Sequence, residues 1–463
     1  MSKILKSVFV CANCDAQFPK WTGRCSECGA WGSISESLFD AREEKKEALK
    51  KIGGAEVIDL ASLPDIALDR MMVGIAEVDR VLGGGLVPGS LVLLGGEPGI
   101  GKSTLAAQIA GALSNSRATP GTAVYVSGEE SAAQVKSRLL RLGRDFNNLK
   151  FISETNIEKI ASAALKVKPE VMIIDSIQTV YSALMPSEAG SIGQIRAAAV
   201  KLIELSKENG IAVLIIGHIT KDGQVAGPKS LEHIVDTVLY LESEAGNNYC
   251  LLRATKNRFG SVNELGVLEM TGTGFREAAD PGAVFVGDSS GHEAMPGSAI
   301  GCVLEGSRPF LVDLQALVSK TVFGYPQRKS SGFDLNRLQV LSAVISKRTN
   351  INLVNQDIIL NVVGGLKISD PSLDLAACAA VISSYRNKSL DKGIVVIGEV
   401  GLGGEVRPVF RLDQRLKEAA RLGFKAALIP AAIGRTAVEK EETVSKIKLF
   451  KIKDLGALVE IIG

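Results

Sequence analysis

The stretch VLGGGLVPGSLVLLGGEPGIGKST, residues 81–104, decides the fold. Its second half, Gly96-Glu97-Pro98-Gly99-Ile100-Gly101-Lys102-Ser103, fits GxxxxGK[ST], with the apolar run LVLLG before it and the helix-forming run TLAAQIAGAL from Thr104 after it. Strand, glycine-rich turn and helix in that order are the context the pattern requires. Glycines let backbone N–H groups turn inward around phosphates, and a helix N-terminus adds partial positive charge. Gly96 to Thr104 is therefore the candidate nucleotide-binding segment, with Lys102 reaching the terminal phosphates of ATP and Ser103 a ligand for Mg2+. A glycine-rich turn without a ligand is the bland alternative.

Working outward, residues 58–280 alternate short β-branched runs with longer helical stretches, the pattern of a mostly parallel sheet with helices on both faces. Strands are expected at Leu91–Gly95, Ala123–Ser127, Val171–Asp175, Ala212–Gly217 and Thr237–Glu242. The first four end in polar or glycine-rich residues, where an open α/β sheet puts its ligand. Phosphoryl transfer to water also needs a metal-orienting carboxylate and a group that positions the water. Asp175, closing VMIID, is the candidate for the first role and a second Mg2+ ligand. Glu129, with Glu130 as helper, follows the strand AVYVS and is the candidate general base. An acidic pair there could equally open the next helix.

These segments resemble the RecA/KaiC/DnaB division of P-loop ATPases, with Gly83 to Gly85 as the distinguishing glycine triplet; SGEESAAQVKSRL, residues 127–139, is similar to the matching segment of DnaB-type helicases. The resemblance implies a base at Glu129, a γ-phosphate sensor at His218 and a DNA-touching loop that carries Lys221 and Lys229. For His218 a satisfied strand-end histidine is the rival reading, and for the lysines plain surface charge. Lys256-Asn257-Arg258-Phe259-Gly260 puts two cations in a turn, either exposed charge or groups that reach a neighbouring subunit's nucleotide as arginine fingers do. KNRFG here resembles the signature of the bacterial RadA (Sms) family.

Cys11-x-x-Cys14 and Cys25-x-x-Cys28 supply four thiolates in two knuckles, enough to close a tetrahedral Zn2+ site. Redox pairs or disulfides are the alternative, disfavoured in a chain with no secretory leader pattern. Metal binding would supply much of the folding energy of so small a module. WTGRCSECGAWGS beside it also resembles the RadA family. A charged stretch, AREEKKEALKK, then marks a linker at 37–57, so that 1–36 is the zinc finger.

Beyond Pro281, LKISDPSLDLAACAAVISS and GEVGLGGEVRPVFRLDQRLKEAARLGFKAALIP resemble the proteolytic domain of Lon, giving a third unit at 281–463. The resemblance implies a serine at Ser372, with Arg415 where the base lysine belongs. A guanidinium stays charged at accessible pH, so peptidase activity is not expected; Ser372 suits the start of the following helix. Arg328, Lys329, Lys347 and Arg348 are candidate DNA-phosphate contacts, with an exposed basic face as the alternative.

The whole chain, 463 residues with a formal charge of +2, is too long for one core and too balanced for its overall field to select nucleic acid. No apolar run is long enough to span a bilayer, so a soluble, cytoplasmic protein is expected. The family resemblance implies a DNA-dependent ATPase and motor that forms homohexamers. It would act on single-stranded and branched DNA with a recombinase of the RecA type, in the branch migration of recombination and repair. The rivals are a KaiC-like regulatory ATPase and an ATP-dependent protease.

Overall fold

The computed structural model describes residues 5–12, 17–18, 20–26, 28–40, 59, 69–114, 122–143, 146–217, 231–243, 248–286, 294–322, 324–365, 367–432 and 447–463. The chain divides into two compact units, Met1–Ala67 and Leu68–Gly463.

In the first unit β1 (Leu5–Cys11), β2 (Gln17–Phe18) and β3 (Ile34–Asp40) form an antiparallel sheet in the order β2-β1-β3. Cys11 lies opposite Ile34 at the end of the β1–β3 ladder, so the sheet delivers one cysteine to the turn region. β3 carries on to Asp40, past the expected boundary at residue 36.

The second unit opens with α1 (Ala76–Leu82), β4 (Leu91–Gly96), α2 (Lys102–Ser114), β5 (Ala123–Ser127), α3 (Ala132–Arg141), β6 (Leu149–Ile152), α4 (Ile157–Val167), β7 (Val171–Asp175), α5 (Ile192–Asn209) and β8 (Ala212–Ile216). β9 (Thr237–Ser243), β10 (Tyr249–Asn257), β11 (Leu265–Thr271) and β12 (Gly274–Glu277) follow. Together they make a nine-stranded sheet in the order β12-β11-β10-β9-β4-β8-β7-β5-β6, parallel from β9 to β6 and antiparallel from β9 to β12. β4, β5, β7 and β8 are buried throughout, because helices cover both faces. Strand alternation sends Val92, Leu94, Tyr125 and Ile173 to a core shared with α1, α2 and α3. Leu93, Val124, Met172 and Ile174 go to one shared with α4 and α5. The five expected strands all form; β11, β12 and the edge strand β6 were not anticipated.

β13 (Ser298–Glu305), β14 (Arg308–Lys320), β15 (Arg328–Ser331), α6 (Leu335–Arg348), β16 (Gln356–Val362), α7 (Asp374–Arg386), β17 (Ile394–Val396), the hairpin β18 (Glu399–Val400) and β19 (Val406–Arg407), α8 (Leu412–Arg421), β20 (Ala426–Pro430), β21 (Lys448–Ile452) and α9 (Leu455–Ile462) complete the chain. A seven-stranded mixed sheet, β15-β16-β14-β13-β17-β20-β21, has α6, α7 and α9 on one face and α8 on the other. Its larger core takes in Leu265, Val267 and Ala278 from the ATPase side. Arg308 pairs with Glu77 at 2.8 Å and Arg253 with Glu305 at 3.1 Å across the same junction. Residues 68–280 and 281–463 thus share buried surface rather than hanging on a linker. The isolated cysteines Cys250, Cys302 and Cys378 are buried core residues. Among the described residues no helix is long and apolar enough to cross a membrane.

Candidate nucleotide site, metal ribbon and a closed serine site

The phosphate loop joins the C-terminal end of β4 to α2. Gly96 (φ 154°) and Gly101 (φ 103°) adopt conformations open to glycine. A Cβ on Gly96 would meet the Leu241 carbonyl oxygen at 2.6 Å, and one on Gly101 would meet Met270 Cε at 2.5 Å. The Lys102 ammonium folds back over the loop and donates to the carbonyls of Gly96 (3.0 Å) and Glu97 (2.8 Å). Burial lowers its pKa, while the charges of Asp175 and Glu129 pull it the other way, so both carboxylates lie within electrostatic reach. Pro98, Gly99, Ile100, Ser103 and Thr104 complete the loop and the first turn of α2.

Asp175 closes β7, buried, and accepts from the Tyr125 hydroxyl at 2.6 Å. That contact and the Asp175 charge, added to burial, raise the tyrosine pKa well above its ordinary value. Sequence reasoning missed Tyr125, which looked like one more apolar position in AVYVS. At the tip of β5 the Ser127 hydroxyl accepts from the amides of Glu129 (3.2 Å) and Glu130 (3.0 Å). Glu129 then accepts from the Ser176 hydroxyl beside Asp175, whereas Glu130 turns away into an ion pair with Arg138 on α3. The acidic pair is therefore split. The helix opening falls to neither: Ser131 caps α3 in a capping box with Gln134. Ser103 and Asp175 offer the hard oxygen donors that Mg2+ takes.

The KNRFG turn and the glycine triplet form one junction. Asn257 donates to the carbonyls of Val81 and Leu82 (3.3 Å each), and Arg70 donates to those of Leu82 (3.3 Å) and Phe259 (2.6 Å). A Cβ on Gly83 would lie 3.2 Å from the Gly260 Cα. Lys256 donates to the Glu232 carbonyl at 2.8 Å. Arg258 has its side chain 59% exposed, with Asp236 3.9 Å away.

Strand register fixes where these cations stand. β9 runs parallel to β4, with Thr237 opposite Val92 and Leu241 opposite Gly96, and β10 returns antiparallel with Asn257 opposite Thr237. Asn257 is thus level with Val92, about 13 Å down the sheet from the phosphate loop at roughly 3.3 Å per residue. Lys256 and Arg258 sit at the sheet edge opposite their own loop.

In the ribbon, the sulfurs of Cys11, Cys25 and Cys28 lie within 4.8 Å of one another. The Cys11 and Cys28 sulfurs are 3.7 Å apart, close to the edge of about 3.8 Å of a tetrahedron with metal–sulfur bonds of about 2.3 Å. The residues fit a thiolate-bound metal. Cys14 lies outside the described residues, as do His218, Lys221 and Lys229.

The Lon-like motif builds the opposite of an open site. Ser372 is fully buried and donates to the Cys302 carbonyl at 3.0 Å. Arg415, also buried, donates to the Ser372 hydroxyl at 2.7 Å, to the Cys302 carbonyl at 2.5 Å and to Asp370 at 2.7 Å. Burial pushes the Asp370 carboxyl up, but Arg415 and the amides of Leu304 and Ser372 outweigh it and hold the group below its usual value. Asp370, not Ser372, caps the turn that leads into α7, which corrects the expectation for Ser372.

Of the four candidate phosphate contacts here, Arg328 is spoken for: its guanidinium bonds to the carbonyls of Gln327, Leu353 and Gln356. The sequence showed the charge but not its carbonyl partners. Lys329, Lys347 and Arg348 are exposed.

These features define a RecA-type P-loop ATPase with an N-terminal metal-binding ribbon and a C-terminal Lon-like α/β domain. Family models agree: an AAA domain matches residues 59–224, a rubredoxin metal binding domain 9–36, and subunit ChlI of Mg-chelatase 330–433. DNA repair protein RadA of Haemophilus influenzae is 43% identical over 459 residues, covering 98% of each chain. The Bacillus subtilis protein of that name is 45% identical over 92% of this chain and 93% of its own, and the Escherichia coli one 44% identical over 93% and 94%. The chain belongs to the RadA family. Among solved structures, a KaiC-like protein of Pyrococcus horikoshii covers 46% of the chain and 99% of its own at 23% identity, with a TM-score of 0.39.

Proposed function

We propose that this ATPase is a DNA-dependent motor of recombination and repair, which forms a ring, most simply a homohexamer, with each nucleotide at a subunit interface. The name DNA repair protein RadA, carried by the relatives, supports the repair setting. The observation that carries the ring is the position of Lys256 and Arg258 at the sheet edge away from their own phosphate loop. A cation there cannot serve its own nucleotide and is well placed to serve a neighbour's.

In this reading Lys102 exchanges the carbonyls of Gly96 and Glu97 for phosphate oxygens, and the loop amides take the remaining charge. Ser103 and Asp175 would hold Mg2+, which would supply charge neutralisation on the phosphates. Glu129, oriented by Ser176, accepts the proton of the attacking water; Glu130 fixes the segment through Arg138. Cys11, Cys14, Cys25 and Cys28 would hold Zn2+, which would serve a structural role. Single-stranded and branched DNA as substrate, branch migration and a recombinase of the RecA type as partner complete the proposal.

Mixing tests it. Arg258→Ala and Lys102→Ala subunits, each slow alone, should regain part of the ATP turnover when combined, because each supplies what the other's interface lacks. No regain in mixtures shown to co-assemble would overturn the shared site. Single-stranded DNA should also raise turnover in the intact protein; an unchanged rate favours a signalling ATPase instead.

A further inference from the structure

The chain has only two tryptophans in 463 residues, and both lie in the metal-binding ribbon. Neither is in a core: Trp21 is 61% exposed and Trp31 77%. Tryptophan is on average a highly buried residue, and clustered exposed apolar surface marks an interaction site.

The two rings share one patch. A Cβ on Gly23 would lie 3.7 Å from Trp21 Cη2 and 3.9 Å from Trp31 Cζ3, so both indoles flank a glycine that raises no wall between them. They are also held. Trp21 Nε1 donates to the Ile34 carbonyl at 3.3 Å. Trp31 pairs with Arg24 across a short antiparallel bridge, closed by Gly32 N donating to the Gly23 carbonyl at 3.0 Å. The Arg24 guanidinium stands 5.8 Å from the Trp31 ring centroid and is anchored by its Nε on the Gly29 carbonyl at 3.0 Å. Lys20 is exposed beside Trp21.

Flat aromatic faces with cations at their margin suit a chain of stacked bases whose phosphates pass the cations. We infer that Trp21 and Trp31 form a base-stacking platform for single-stranded nucleic acid, with Arg24 and Lys20 on the backbone phosphates. This rests on the DNA-motor reading, and would give the ribbon a hold on the strand separate from the ATPase loops.

Because the chain has no other indole, its tryptophan emission reports on this patch alone. The test is titration of the full-length protein with end-labelled oligothymidylate and with an abasic deoxyribose-phosphate oligomer of equal length, following emission and label anisotropy together. Oligothymidylate should quench emission and the abasic strand should not. Trp31→Ala should weaken oligothymidylate binding roughly ten-fold, the scale of one lost stacked base, and Trp31→Phe should restore it. Trp31 is mostly solvent-exposed, so the ribbon should stay folded in both variants. Rising anisotropy with unchanged emission would overturn the platform while leaving DNA binding intact, and would assign the patch to a protein partner. No anisotropy change with either strand would overturn both readings.

Discussion

Two places in this molecule carry the residues of an enzyme, and they differ in how their polar groups are satisfied. At the phosphate loop, Lys102 bonds to carbonyls of its own turn, contacts that an incoming triphosphate can replace. At Ser372 every group is committed to a partner that no substrate displaces: the hydroxyl to a carbonyl, the guanidinium to hydroxyl, carbonyl and carboxylate. The first arrangement is poised to bind, the second is a buried polar joint between the β13 strand, the α7 turn and α8. Residue identity alone does not separate an exchangeable site from a closed one; the replaceability of its hydrogen bonds does.

The sharpest way to break that contrast is at the loop. Lys102→Ala should lower ATP turnover by roughly three orders of magnitude, the scale of losing a charged donor to the transferring group, with the fold unchanged by circular dichroism. Near-normal phosphate release would remove the nucleotide assignment. Glu129→Gln should keep nucleotide binding and reduce turnover by about 10²- to 10⁴-fold, the usual weight of a positioned base. Glu130→Gln should act instead on thermal stability, through its ion pair with Arg138. If the two variants exchanged phenotypes, the division of labour drawn from Ser176 and Arg138 would be reversed.

How far the sequence spoke follows the same division. β5 and β7 match their expected limits at Ala123–Ser127 and Val171–Asp175, because long apolar runs that end in polar residues have one physical reading in a covered sheet. Ser372 and Arg415 were paired through motif order and lie 2.7 Å apart. What stayed hidden were commitments set by distant chain. Tyr125 on Asp175, the KNRFG turn on the glycine triplet and Arg328 on three carbonyls depend on strand register, which no local window contains. The capping role went to Asp370 because that side chain answers two needs at once, the Ser372 amide and the Arg415 guanidinium.

In the closed site, Arg415→Ala should destabilise the C-terminal half by about 3–5 kcal/mol, since it leaves the Asp370 carboxylate without its buried cation. Acid sensitivity should change with it. The Asp370 pKa is depressed in the folded protein, so its contribution is complete above the unfolded carboxylate value of about 4 and is lost as pH falls through the folded value. The wild type should lose that increment in acid and the variant should have none to lose, so their melting temperatures should converge below about pH 4. A gap that stays constant with pH would mean that packing of the arginine stem, not its charge, holds the joint.

The smallest effect belongs to the residue that looks most catalytic. Ser372→Ala removes one hydroxyl and leaves one N–H of the buried Arg415 without its acceptor, while the Cys302 carbonyl keeps its bond from Arg415 and the guanidinium keeps both that carbonyl and Asp370. The cost should be that of one buried donor left without its acceptor, about 1–3 kcal/mol, with ATP turnover unchanged. Peptide hydrolysis should be absent in wild type and variant alike, because a fully buried hydroxyl beside a permanent cation has neither access nor a base. Cleavage by the wild type that disappears in Ser372→Ala would show that the joint opens in solution, and would erase the distinction between the two sites.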